Sequence, residues 1–279
     1  MLAFIPYPKY VSVSITGDFC ELNCKYCRGH YLKGMIKAES PQALYWLARR
    51  LAKRGVKGLL VSGGFDKEGK LPIKPYLSAL RSIKEELGLI ISVHAGMVDL
   101  ETAKALRRSK VDVINYEVIL DDVVMRDLMN LRDKGGEDCL KSLEALIDEG
   151  PPFIAPHVPV GFHYGRVVHE FEALEVISDY NPYVVILLIY TPLRGKGFPP
   201  PPLYEVMNLI SYAKRKVKGE LTLGCIRPKE FKELLDPILI KEGLMDRIVL
   251  PALSLIRKYK LMVVGSCCSL PKELLVDFL

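Results

Sequence analysis

A (β/α)8 barrel is the fold this sequence predicts, and three observations predict it. Short runs rich in Val and Ile recur along the chain, several apolar at consecutive positions, as strands buried on both faces of a parallel sheet must be. Amphipathic stretches lie between them, which sets the alternating order of an α/β fold. The 279 residues match the usual size of one such barrel. A partial barrel of six strands is the alternative.

The strands are read in order. They are VSVSIT (11–16), GLLVSG (58–63), LIISVH (89–94), VDVINYEVI (111–119), FIAPHVPV (153–160), VVILLIY (184–190), LTLGC (221–225) and RIVLP (247–251). Helical patterns fall between them. The stretch 40–55 has Ser40 as N-cap, Pro41 at the first helical position and Gly55 past its end. Asp99 caps 99–109, Gly150 ends 136–150, and Pro237 interrupts 227–243 with a kink. Pro199 to Pro202 form a short polyproline spacer after the sixth strand. Residues 1–260 are expected to form the barrel. Residues 261–279 are expected to form a C-terminal segment over its C-terminal face.

Composition narrows the function classes. Hydrophobic residues make up 49% and charged residues 26%, the balance of a soluble globular chain. The longest apolar run, 184–190, is too short to cross a bilayer, and MLAFIPYPKY lacks the charged and apolar regions of a signal peptide. A cytoplasmic location with no membrane partner is expected. Net charge is +6, which ordinary solubility explains. The densest basic run, KRKVKG (214–219), has no interleaved aromatics, so nucleic acid is not expected as a partner. Asn and Gln are scarce beside Lys, Arg, Glu and Pro, as in thermophile proteins.

Seven cysteines are present. An odd number with one tight trio speaks against a disulfide scaffold and for metal or cluster binding. The trio Cys20, Cys24 and Cys27 lies just past the first strand, at the C-terminal face where barrels house their chemistry. Three thiolates can hold three irons of a [4Fe–4S] cluster and leave the fourth iron open. A Cys3His zinc site completed by His30 is the competing account. It would make the chain a zinc-binding RNA-interaction module, for which one compact loop and a weak basic patch are poor support.

The C-x3-C-x2-C spacing, with Tyr26 before the last cysteine, resembles the radical S-adenosylmethionine enzymes. VSGGF (61–65) is similar to that family's glycine pair after the second strand. The resemblance implies a cluster on Cys20, Cys24 and Cys27, and an open iron that chelates S-adenosylmethionine. One electron then yields a 5′-deoxyadenosyl radical. It implies Tyr26 near the adenine, and Ser62, Gly63 and Gly64 at the methionine amino end. Asn115 and Glu117 would reach the ribose or methionine, and Val160 in VPVG and Tyr190 in YTP would flank the adenine. Arg227 and Arg194 are candidates for cofactor or substrate contact. His94, His157 and His163 also lie at or near strand ends, as packed polar residues or catalytic ones.

Cys225 ends the seventh strand, and Cys267 and Cys268 lie in GSCCS. These three are candidate ligands of a second [4Fe–4S] cluster, with Ser266, Ser269 or Cys139 as further donors. Cys139 by itself reads as a small core hydrophobe. LGCIRP and DRIVLPAL resemble the biotin-synthase-like group, although the second, third and fifth strands lack that enzyme's auxiliary cysteines. No N-terminal cysteine trio precedes Cys20, which departs from ordinary lipoyl synthases. The pattern most resembles a subunit of the archaeal two-protein lipoyl synthases. The resemblance then implies sulfur insertion into an octanoyl chain on a lipoyl-carrier protein, with a second radical subunit and an electron donor as partners. A biotin-synthase-like radical enzyme without sulfur transfer is the alternative.

Overall fold

The computed structural model describes residues 1–193 and 197–279; Arg194 lies outside them. Eleven strands, all parallel, join in one curled sheet. Eight are the expected ones: β2 (Tyr10–Ser14), β4 (Gly58–Ser62), β5 (Ile90–His94), β6 (Val113–Glu117), β7 (Phe153–Val160), β8 (Val184–Ile189), β9 (Glu220–Leu223) and β10 (Arg247–Val249). Three short strands were not expected: β1 (Leu2–Phe4), β3 (Ile36–Lys37) and β11 (Met262–Val264). Around the sheet the order is β11-β1-β10-β9-β8-β7-β6-β5-β4-β2-β3. Strand β11 therefore carries the sheet past residue 260. The fold is an α/β barrel of the TIM type, curled but with β3 and β11 as edges, so the partial-barrel description fits it too.

The helices are α1 (Pro41–Ala52), α2 (Leu77–Leu87), α3 (Leu100–Arg108), α4 (Gly136–Glu149), α5 (Glu170–Asp179), α6 (Leu203–Lys216), α7 (Lys229–Lys241) and α8 (Leu253–Tyr259). Their starts follow the sequence signals. Ser40 Oγ accepts the Ala43 N–H at 3.1 Å, and Asp99 Oδ1 accepts the Thr102 N–H at 2.8 Å. Each bond satisfies one otherwise unpaired amide of a first helical turn. Pro237 is accommodated within α7. Among the described residues no helix is long and apolar enough to cross a membrane.

Strand alternation sorts side chains into two layers. Val11, Val13, Leu59, Val61, Ile91 and Val93 turn outward and pack with Leu44, Leu47, Leu80 and Ile83 of α1 and α2. The intervening Tyr10, Ile90, Val113, Ala155 and Val184 turn into the lumen. There they meet Leu270, Leu275 and Phe278 of the C-terminal segment. All six side chains of β8 are buried, which explains its unbroken apolar run.

The C-terminal segment does not lie over the C-terminal face, and this corrects the expectation. It fills the lumen from the opposite end, against residues that begin strands. Phe278 packs on Tyr10, ring centroids 5.9 Å apart. The Tyr183 hydroxyl donates to the Ser269 carbonyl at 2.5 Å. Arg247 is fully buried, pairs with Glu220, and donates through Nη1 to the carbonyls of Cys268 (2.7 Å) and Leu270 (2.6 Å). A buried guanidinium is tolerable only when so satisfied. The physical reason for the placement is apolar: Leu270, Leu275 and Phe278 supply the core that the lower lumen lacks.

Candidate active site

The loop after β2 is wound by four residues in the left-handed region, Gly17, Asn23, Arg28 and Gly29. The Cys24 carbonyl accepts from the amides of Cys27 (3.2 Å) and Arg28 (2.9 Å), and the Cys27 carbonyl from that of His30 (2.7 Å). Two neighbours hold the loop down. Its Lys25 N–H donates to the Leu128 carbonyl at 2.8 Å, and Asn130 Nδ2 donates to that of Leu22 at 2.6 Å. The Cys20 thiol points to the Phe65 carbonyl (3.8 Å) and the Cys24 thiol to that of Met129 (3.7 Å). Cys24 also hydrogen-bonds Cys27, which pulls the Cys27 thiol down and pushes its own up. Cys27 is thus the first of that pair to ionise.

Gly64 shows why a glycine follows β4 here. A Cβ on it would stand 2.0 Å from the Phe19 carbonyl oxygen and 2.4 Å from Cys20 Cα. The backbone of the cysteine loop passes directly over this residue. Gly63 is bounded by Thr16 and Leu71 at 3.0–3.1 Å. Close approach of backbone to the glycine pair was expected of a ligand; at Gly64 the structure assigns it to the loop itself.

The donor set fits an iron–sulfur cluster. Three thiols share one loop, with Cys20 and Cys24 each directed at a main-chain carbonyl oxygen. Among the described residues no three His, Cys, Asp or Glu side chains gather round a point that one metal ion could fill.

Other expected residues divide. Ser62 and Asn115 are buried, and the Asn115 Oδ1 atom has no hydrogen-bond partner. Glu117 faces His94, Oε1 to Nε2 3.8 Å. Tyr26 is buried against Phe162, ring centroids 4.6 Å apart, and Phe162 was not anticipated. Three of the expected residues make contacts within the protein. Val160 turns its side chain outward to the helix layer, and its carbonyl is taken by the Tyr190 N–H at 2.9 Å. Tyr190 is buried and stacked on Phe198 at 4.0 Å, its hydroxyl accepting the Phe198 N–H. Arg227 is spent on structure. Its Nε and Nη2 bond Asp236 at 2.9 and 2.7 Å, and Nη1 bonds the carbonyls of Gly224 (2.6 Å) and Val249 (2.8 Å). It fixes the residue before Cys225 rather than a ligand.

Sequence reasoning also missed a buried group beside the mouth. Glu170 accepts from the amides of Gly161 and Val168, both at 2.7 Å, and so shapes the loop after β7. Asp121 binds His163 Nδ1 at 2.6 Å, with His169 Nδ1 3.7 Å away. The HxxxxxHE spacing from His163 to Glu170 was the available signal.

The second cysteine set straddles the lumen. Cys225 is exposed at the top of β9, Cys267 is half-buried and Cys268 buried on the C-terminal segment. Surrounding protein and then the negative charge of Cys267 push the Cys225 thiol up. Cys267 is pulled down to about 6, first by its hydrogen bond with Cys268, and its sulfur lies 3.1 Å from Ser269 Oγ. Cys139 stays apart, buried among core residues and accepting from the Tyr116 hydroxyl and the Ile119 N–H, both at 3.4 Å. A cavity of about 670 Å³ opens between Cys27 and Cys225, lined also by Tyr31, Thr191, Pro192 and Ile226.

A curled parallel barrel with a three-cysteine loop after an early strand and a glycine pair after the next defines a cluster-holding barrel enzyme. The radical SAM superfamily model matches residues 14–165, more than half of the chain, and the chain belongs to that superfamily. No curated protein matches the sequence. Among solved structures it is similar to methylornithine synthase (PylB), with a TM-score of 0.59, 15% identity, and coverage of 95% of this chain and 75% of that one. It is also similar to HydG, a maturase of the [FeFe]-hydrogenase, with 0.64, 13%, and 95% and 64%. HydG from Carboxydothermus hydrogenoformans gives 0.61, 15%, and 89% and 58%. The chain therefore spans less than two thirds of the maturases it matches, and at such identities the likeness is one of fold.

Proposed function

We propose that the protein inserts sulfur into an octanoyl chain carried on a lysine of a lipoyl-carrier protein, in lipoate biosynthesis. The observation that carries this is the second thiol set: Cys225 lines the same cavity as Cys27, and its thiol feels the charge of Cys267 on the C-terminal segment, beside Cys268. Cys20, Cys24 and Cys27 would hold the radical cluster, and Cys225, Cys267 and Cys268 a second [4Fe–4S] cluster as sulfur source. When bound, the first cluster and S-adenosylmethionine supply the hydrogen-abstracting 5′-deoxyadenosyl radical.

The chain's own residues set the stage. Ser62 and Gly63 offer backbone to the methionine end, while Asn115 and Glu117 offer acceptors to the ribose. Arg227 holds the Gly224 carbonyl and so fixes Cys225. The buried lumen keeps water from a reactive carbon. A second radical subunit would make the other of the two insertions, at C6 or C8, with an electron donor serving both in the cytoplasm.

The test is anaerobic reconstitution with S-adenosylmethionine, dithionite and an octanoyl-lysine peptide. About eight irons per chain and a thiolated peptide by mass spectrometry are expected. About four irons, with deoxyadenosine but no thiolated peptide, would remove sulfur transfer and leave a radical enzyme of other substrate.

A further inference from the structure

The lumen wall changes character at β7. From β4 to β6 the inward residues near the mouth are polar: Ser62, His94, Asn115 and Glu117. From β8 onward they are Ile186, Leu188 and Val249, followed by the thiol of Cys225. His157 stands on the boundary. Its register partners are Glu117 on β6 and Ile186 on β8. It shares the inward face with Ala155, while Val158 and Val160 turn to the helices.

The tautomer of His157 follows from its one hydrogen bond. Nδ1 lies 2.9 Å from the Ala155 carbonyl oxygen. A carbonyl only accepts, so Nδ1 carries the hydrogen. Burial, and then the nearby His94, hold the ring's pKa down to about 3, so at neutral pH Nε2 is a bare lone pair. Among the described residues nothing donates to it. The ring is only half-buried, which leaves room for a ligand in the lumen.

We infer that His157 binds the substrate, its Nε2 accepting the hydrogen bond of an amide N–H where the polar wall of the lumen meets the apolar one. This rests on the octanoyl-lysine reading above and adds to it the atom that recognises the amide. A substrate that spans the polar and apolar walls has its polar junction at this strand.

The test uses the reconstituted protein with S-adenosylmethionine and no reductant, so that binding is read without turnover. Calorimetry compares an octanoyl-lysine peptide with its ester isostere, in which oxygen replaces the amide N–H. One lost hydrogen bond to a buried acceptor corresponds to about a tenfold weaker Kd. The unmutated protein should prefer the amide about tenfold. His157→Phe should bind the amide about tenfold more weakly and lose the preference, and His157→Gln, which keeps an acceptor, should retain part of it. Equal binding of amide and ester by the unmutated protein overturns the role of His157 and leaves the substrate standing, and it needs no variant to fold. Failure of either ligand to bind overturns both.

Discussion

Replacing Arg227 by Met tests the internal scaffold of the mouth. Both Arg227 and Asp236 have side chains 0% exposed, so water screens neither. The substitution removes two hydrogen bonds from a buried carboxylate and one each from the Gly224 and Val249 carbonyls. A carboxylate stranded in this way costs about 3–5 kcal/mol. Protonation offsets part of that, since burial already raises the Asp236 carboxyl. Two orphaned carbonyls add about 1 kcal/mol each, the low end of the usual range. A net loss of about 4 kcal/mol corresponds to a fall in Tm of about 10 °C for a chain of this size. Circular dichroism melts at pH 7 read it. Two controls sharpen the result. The double variant Arg227→Met/Asp236→Leu should recover most of the loss, because no charge remains buried. The single variant should be least damaged in acid, where Asp236 protonates. A fall under about 3 °C, or a double variant no better than the single, would refute the reasoning.

Further outcomes are expected. Gly64→Ala places a Cβ 2.0 Å from the Phe19 oxygen, so the cysteine loop must move; the variant should retain well under half the iron of the parent, and full iron retention would sink that account. Cys225→Ala and Cys267→Ala should each bring iron from about eight toward about four per chain while deoxyadenosine formation persists, whereas Cys139→Ala should leave iron unchanged. Glu170 titrates near pH 7, above its usual value, because burial disfavours its charge; the stability it contributes is full below its unfolded pKa and is lost as pH rises through 7. His169 titrates near 4, below its usual value, for the same reason, so its contribution is full above about 6.5 and is lost as pH falls toward 4. The two offset each other between about pH 4.5 and 6.5. Melts across that range should be flat for the parent and rise with pH for Glu170→Gln, and parallel profiles would contradict the assignment.

Much of this architecture was legible because parallel strands buried on both faces must be continuously apolar. The eight principal strands announced themselves in that way, while β1, β3 and β11 have only two or three residues and carry no pattern. The cysteine trio was legible because its ligands are local. What lies across the lumen was not. Arg227 was read as a ligand contact because its partner Asp236 sits nine residues away on a helix. Strand position alone places Val160 and Tyr190, and it cannot show that Val160 turns to the helices or that Tyr190 stacks on Phe198. The C-terminal segment was read as a lid because sequence shows its apolar residues and not which end of the barrel needs them.

Strand β1 lies between β10 and β11, so Leu2 waits for Arg247 and Met262 before its edges are paired. During synthesis at about 5–20 residues per second, that wait is on the order of ten to fifty seconds. For most of it the trio of thiols is already synthesised while the seam beside β1 is still open and its floor unmade. Reactive-thiol tagging of nascent chains stalled near residue 200, against released chains, measures how long the door stands open.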